Sequence, residues 1–342
     1  MESPARSELM SVITHTIVDL DLPFALPIPD GDFKVKLRGL DAGILVKRIQ
    51  HKQAGGWTLE GEGTVEIALD KRGRFAHTRA RLKLPGKIDL HERGRQPRLI
   101  NTPPRSRLKE IVLEVVNRFI DVVRFVTEEY QLGHISYPDI LSYEVNFWDG
   151  SNMIPAGVVI LDSGTGGFKL STGPLPKFPE DKMQALTSLL EEGSDLDLSK
   201  TLVLDAKEAY LEEDFRKATT DSVTALEIRL SEFIRQRGQQ LGVSADQIER
   251  FIVDVGLTGN LEVVLKLLLV GLEQPDPKLV ATCKGAITER NHILHRGKRL
   301  IAPTETEERI EAIQSFLIYL DRLMDAINSE SASPSTEKLP TT

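Results

Sequence analysis

Midway along this chain the period of the apolar residues changes, and that change restricts the fold more than any single motif does. From about residue 11 to residue 84, apolar and polar residues alternate in short β-branched runs: Thr16-Ile17-Val18-Asp19-Leu20, Phe33-Lys34-Val35-Lys36-Leu37 and Gly43-Ile44-Leu45-Val46. A period of two puts successive side chains on opposite faces of a strand. Beyond Gly173-Pro174-Leu175-Pro176-Lys177-Phe178-Pro179 the apolar spacing becomes three and four, the signature of one helix face. A Pro-rich join between two periodicities is a domain boundary. At 342 residues, each half is long enough to bury a core of its own.

Within the first half the clearest hairpin expectation pairs residues 57–69 with 74–84 around Asp70-Lys71-Arg72-Gly73. With Leu69 opposite Arg74, this register sets Glu62 against Arg81 and Glu60 against Lys83. A helix is expected over 104–130, with Leu108, Ile111, Val112, Val115, Phe119, Val122 and Val123 on its apolar side. Further strands are expected over 141–148, 157–162 and 168–172. Antiparallel strands plus one long helix make an α+β domain over 1–174. An all-α bundle over 175–328 follows, then a polar tail over 329–342 expected to be disordered. Helices are expected over 183–190, 205–237, 260–272 and 278–295. Ser244 with Gln247, and Thr304 with Glu307, are spaced as capping boxes.

The lone Cys283 excludes a disulfide framework and a Cys-based zinc site, which fits a reducing cytoplasm. No basic region followed by an apolar stretch opens the chain, so no signal peptide is expected. The most apolar run, residues 261–272, is too short to span a bilayer and is expected to be a buried helix. Gly164-Thr165-Gly166-Gly167-Phe168-Lys169 lacks the Lys-Ser/Thr ending of a phosphate loop and reads as a turn. Asp19, Asp21, Asp30 and Asp32 do not have the spacing of a calcium loop. No metal or cofactor is expected.

Charge is distributed unevenly. The chain carries a net −8, yet residues 71–109 hold thirteen Lys and Arg against Asp89 and Glu92. Cross-strand pairing with Glu60 and Glu62 would absorb part of the strand half. The loop half, Lys87, Arg93, Arg95, Arg98, Arg105, Arg107 and Lys109, fits either a track for RNA phosphates or an ordinary solvated loop.

The residues most suggestive of chemistry lie near the C-terminal end. Arg290-Asn291-His292-Ile293-Leu294-His295 falls in the last turns of a helix expected to stop at Gly297. Arg290 lies on the stripe of Cys283, Ile287 and Leu294, where burying an arginine without a partner costs on the order of several kcal/mol. Asn291 and His295, four apart, share a face. A guanidinium, an amide and an imidazole at one helix end are equipped to bind and act on a phosphate. The structural alternative is that His295 and Arg296 simply complement the helix C-terminus.

The order Arg290-Asn291, His295, Gly297 and then Pro303-Thr304 opening a long amphipathic helix resembles the HEPN superfamily. Upstream, Asp205-Ala206 to Tyr210, Phe215, Ala218 and Thr224-Ala225-Leu226-Glu227 is similar to the first long helix of its Apea-like branch. The resemblance covers roughly residues 202–327 and implies a HEPN-like helical bundle. Active members are metal-independent endoribonucleases that work as dimers, often in bacterial, including antiviral, defence or toxin-like systems. By that resemblance Arg290 holds the scissile phosphate, His295 moves the proton and Asn291 orients one of them. Glu227 and His292 are expected to support them. The implied partners are RNA, a second copy through the helical domain, and a trigger or neutralising protein. The first domain would select RNA or sense the trigger. A non-catalytic HEPN dimerisation or ligand-binding module is the competing expectation.

Overall fold

The alternating runs of the first half become six antiparallel strands among the residues that the computed structural model describes, 13–22, 24–50, 76–88, 107–136, 142–160, 178–298 and 300–332. They are β1 (His15–Leu22), β2 (Gly31–Leu37), β3 (Leu40–Gln50), β4 (Ala76–Pro85), β5 (Ser142–Trp148) and β6 (Met153–Ile160). Their order in the sheet is β2-β3-β4-β1-β5-β6, so the first strand of the chain becomes an interior one. Arg38 and Gly39 join β2 to β3, both at positive φ (46° and 83°), as a two-residue turn that matches strand twist requires.

Even positions of β1, β3 and β4 face the core: Val18, Leu20, Ile44, Val46, Ala80 and Leu82 are all buried. On the same face Phe33 meets Phe119 of α1 (Arg107–Thr127), with ring centroids 5.3 Å apart. The buried positions of α1 include Leu108, Val112, Val115, Phe119, Val122 and Val123 of the apolar stripe read from the sequence, while Ile111 is only half-buried at its margin. Expected strands over 141–148 and 157–162 correspond to β5 and the end of β6, while 168–172 lies outside the described residues, as does the glycine-rich turn at 164–169.

The expected hairpin partner of β4 is wrong. Over Thr78–Lys83, both edges of β4 are occupied, by β1 on one side and β3 on the other. No edge remains for residues 57–69, which lie outside the described residues. Arg81 instead donates to Asp19 (Nε to Oδ1, 2.6 Å) and Arg79 to Asp21 (2.7 Å). Hairpin reasoning favours the neighbour in sequence, whereas here the strand finds more distant partners.

The chain divides into two compact units, Met1–Asp195 and Leu196–Thr342. The division falls beyond the Pro-rich join, because α2 (Glu180–Glu192) packs in the first unit, not in the bundle expected to begin at 175. Its C-cap Gly193 is left-handed (φ 64°), and a Cβ there would come within 2.8 Å of the Lys36 carbonyl oxygen. Only glycine permits that approach. Ser194 then accepts from Arg118 of α1 through its carbonyl.

The second unit is helical: α3 (Leu198–Leu211), α4 (Phe215–Gln240), α5 (Ala245–Gly259), a π-helical turn at Asn260–Val264, α6 (Leu265–Leu268), α7 (Pro277–Arg296) and α8 (Pro303–Ala332). Its core includes Leu226, Leu230, Phe233, Ile287, Phe316 and Leu320. Asp197 caps α3, accepting from the backbone of Ser199 and Lys200. Gln247 accepts from the backbone and hydroxyl of Ser244, giving the expected capping box. The other one does not form: Thr304 is already inside α8, which opens on Pro303, and Glu307 instead accepts from the Tyr210 hydroxyl at 3.2 Å.

Two further expectations are corrected. Residues 261–272 are not a uniformly buried helix. Leu261, Val264, Leu265 and Leu269 face the core, but Val263, Leu267 and Val270 are exposed. The π turn and the short helix rotate an almost wholly apolar run so that part of it meets solvent. The last helix continues through residues 329–332, which were expected to belong to the disordered tail; 333–342 lie outside the described residues. Among the described residues, no helix is long and apolar enough to cross a membrane.

Candidate active site

The Arg/His segment lies on α7, which packs against α4 and α8. Asp276 caps the helix by accepting from Lys278 N–H at 2.8 Å, and Pro277 occupies its first position, where a missing N–H costs nothing. The helix stops at Gly297, left-handed at φ 64°, whose N–H returns to the His292 carbonyl. That carbonyl also accepts from Lys298 N–H at 3.2 Å. The stop expected at Gly297 is therefore built by a left-handed cap.

The buried stripe of α7 runs through Cys283, Ala286, Ile287, Glu289 and Ile293. Leu294 does not belong to it and is 52% exposed. At about 100° per residue the stripe drifts, so the turn after Arg290 selects Ile293. Arg290 itself remains on the inner side, with its side chain 25% exposed. Its Nη2 lies 3.5 Å from Oε2 of Glu227 on α4, while its Nε is buried without a hydrogen-bond partner. A guanidinium has five N–H donors. One long contact leaves most of them unspent, and a buried unpaired donor costs about 1–3 kcal/mol. A phosphate oxygen at this place would relieve that cost.

Asn291 and His292 are half-buried, and His295 is exposed. None of the three side chains has a hydrogen-bond partner among the described residues. Asn291 and His295 share a face, but Arg290 and His295 are five apart, about 140° around the axis and about 7.5 Å along it. Within one chain the guanidinium is directed at α4 and the imidazole at solvent, so the two do not converge as the sequence suggested.

Two groups near the motif escaped sequence reading. Glu289 is buried, and Lys298 Nζ lies 2.8 Å from its Oε1, which fastens the segment after Gly297 back onto α7. The helix end intervenes between these partners, so no helical spacing signals the pair. Cys283 is fully buried, and burial pushes its thiol up to about 12, which keeps it protonated and removes it as a nucleophile.

Of the basic stretch, Arg93, Arg95, Arg98 and Arg105 lie outside the described residues. Lys87 is exposed, with Nζ 5.6 Å from the centroid of the Phe147 ring. Arg107 is exposed at the start of α1. Lys109 is partly buried, and burial holds its ammonium below the usual lysine value. Among the described residues, no three His, Cys, Asp or Glu side chains are grouped so as to hold a metal ion.

Compared with protein-family models, curated proteins and solved structures, the chain matches none.

Proposed function

We propose that this chain is a metal-independent endoribonuclease of the HEPN type, acting as a homodimer and cutting RNA by attack of its 2′-hydroxyl. The observation that carries the reading is the Arg290 guanidinium, mostly buried, loosely held by Glu227 and with donors unspent. Such a group suits a phosphorane, whose charge grows in the transition state and rewards fixed donors.

In this reading Arg290 holds the scissile phosphate, and Asn291 orients it. The exposed His295 serves as general base, the role most often taken by an imidazole. The imidazole takes the proton of the 2′-hydroxyl as the O2′–P bond forms and the P–O5′ bond breaks. The leaving 5′-oxygen takes a proton from a second imidazole, supplied by the other copy. The products are a 2′,3′-cyclic phosphate and a 5′-hydroxyl end. The wide angular separation of Arg290 and His295 supports a two-copy site, in which each could meet its counterpart across a dimer interface. The exposed Leu294, next to His295, supports a protein surface at that end of α7. A trigger or neutralising protein would control a nuclease of this kind, and the basic stretch would guide the RNA. The setting is a bacterial defence or toxin-like role in the cytoplasm.

The scaffold reading has one observation in its favour: Glu227 already gives Arg290 a counter-charge without any substrate. A matched pair of oligonucleotides separates the two. The nuclease reading predicts cleavage of an all-ribose strand and none of the strand with 2′-deoxyribose throughout. Intact RNA under every condition that cleaves neither strand, including addition of a trigger-containing extract, favours the scaffold.

A further inference from the structure

The face of the sheet turned away from Phe119 holds an open cleft of about 520 Å³. It is centred on Gly43. The register places Lys34 on β2 opposite Gly43 on β3, and Gly43 opposite Lys83 on β4. These three positions thus form one row across the strands, with the middle side chain missing. Neighbouring strands are about 4.8 Å apart, so the two lysine Cα atoms stand roughly 10 Å from each other across the gap. Lys36, two residues along β2, His15 on β1, Asp41 on β3 and Glu191 of α2 also line it.

The rim carries three lysines against two carboxylates, Glu191 and Asp41, the latter opposite Lys36 in the register, so one positive charge is left in excess. Lys34 has one loose partner, Glu191 of α2, with Nζ to Oε1 at 3.8 Å. Lys36 and Lys83 have no ion-pair partner among the described residues. Farther along the same strand, Arg79 and Arg81 are each satisfied by an aspartate of β1. Opposite Lys83, however, β1 offers Ile17, which carries no charge. Three ammonium groups around a recess therefore coexist in a chain of net charge −8. A recess with a net excess of positive charge favours a bound counter-ion, most of all beside Lys83, which no carboxylate faces across the strands. Burial and the charge of Lys83 lower the His15 pKa, which favours the neutral imidazole and its hydrogen bonding. Its Nδ1 is 3.0 Å from the Thr14 hydroxyl, which leaves the other nitrogen for a ligand. Asp41, also on the rim, is an acceptor suited to a hydroxyl.

We infer that this cleft binds a small molecule carrying two or more phosphates, of nucleoside di- or triphosphate size, with the phosphates lying over Gly43 between Lys34, Lys36 and Lys83. The volume is within the range of small-molecule sites and well beyond a single phosphate. Among the described residues no Phe, Tyr or Trp lines the cleft, so the base contributes little and recognition rests on the phosphates and a sugar hydroxyl. Gly43 is the key position: a Cβ there would meet Lys83 Cβ at 3.5 Å, ordinary contact, so the strand tolerates a side chain while the recess does not.

Titration calorimetry with ATP, GTP and inorganic tripolyphosphate tests this on the full chain. An Arg290→Ala background keeps nucleotide at the candidate active site from contributing and makes the result independent of the nuclease reading. ATP and GTP are expected to bind within about threefold of each other. Lys36→Ala/Lys83→Ala should weaken both at least tenfold, and Gly43→Val should do the same with every lysine intact. Lys47→Ala, on the same face of β3 but outside the cleft, should leave affinity within about twofold. A 5′-triphosphorylated oligonucleotide binding more tightly than ATP places the phosphates on a strand end, and weaker binding places them on a free nucleotide; in both cases the cleft is the phosphate site. The inference is overturned if none of the probes binds at millimolar concentration. It is equally overturned if Gly43→Val binds like the parent, because attraction to scattered surface lysines would ignore the shape of the recess.

Discussion

Among the described residues nothing fully satisfies Arg290, which in the proposed reading is what suits it to a phosphate. Its contact with Glu227 is long, and the Glu227 side chain is 46% exposed, so the pair contributes no more than about 1 kcal/mol to stability. Glu227→Ala should therefore barely move the urea midpoint while lowering kcat/KM for RNA, because the guanidinium loses the group that aims it. Arg290→Ala should cost about a hundredfold or more in kcat, the scale of removing one transition-state donor. A Glu227→Ala protein that unfolds much more easily but cleaves normally would show the contact to be structural only. At this scale the sequence revealed Arg290 because helical spacing placed a charge on an apolar stripe. It misled at Leu294, one residue off the true stripe. It was silent on Glu289, whose partner Lys298 lies beyond the helix stop.

Between elements, the main polar fastening of the helical unit is Arg229 of α4, with its side chain 11% exposed. It pairs with Asp197 at the start of α3, contacts Glu232 at 3.0 Å, and has Nε 3.1 Å from Asp321 of α8. Arg229→Ala leaves these carboxylates facing one another and should destabilise the protein by about 3–5 kcal/mol, read from chemical denaturation. Burial pushes the Asp197 carboxyl up, but hydrogen bonds from Ser199 and Lys200 and the charge of Arg229 outweigh it, leaving the pKa below its usual value. A lowered folded pKa gives stability that is fully present above the unfolded value of about 3.9 and is lost as pH falls through the folded value. The stability gap between wild type and Asp197→Asn should accordingly hold from neutral pH to about pH 4 and narrow below it. A gap that narrows already between pH 7 and 5 would assign the pairing to another group. The bend at Gly256 (φ 68°, ψ 169°) is a second element-scale test. Asn260 follows it, buried, donating to the Ile252 carbonyl at 3.0 Å. Gly256→Ala should cost about 1–3 kcal/mol, the strain of a side chain at positive φ; a neutral substitution would mean that the bend relaxes freely. Helix ends such as Gly297 and Ser244 were legible because capping is local chemistry. The partners of β4 and the allegiance of α2 were not, since they depend on contacts far apart in sequence.

For the whole molecule, the switch of period separated a strand-rich half from a helical one, and the structure follows it in an antiparallel six-stranded sheet followed by helices. Counting charges identified a basic stretch but could not show how it is divided. Arg79 and Arg81 are neutralised by Asp21 and Asp19, whereas Lys83 is left for the cleft around Gly43. That difference comes from which residue of β1 stands opposite each cation, a matter of register that composition does not contain. The ribonuclease activity proposed for the Arg290/His295 segment is tested by cleavage of a mixed RNA pool by the purified full chain in EDTA. Cleavage by wild type is expected to survive chelation, leave cyclic-phosphate ends and disappear in Arg290→Ala/His295→Ala. Cleavage of equal rate by that double variant would contradict the proposal.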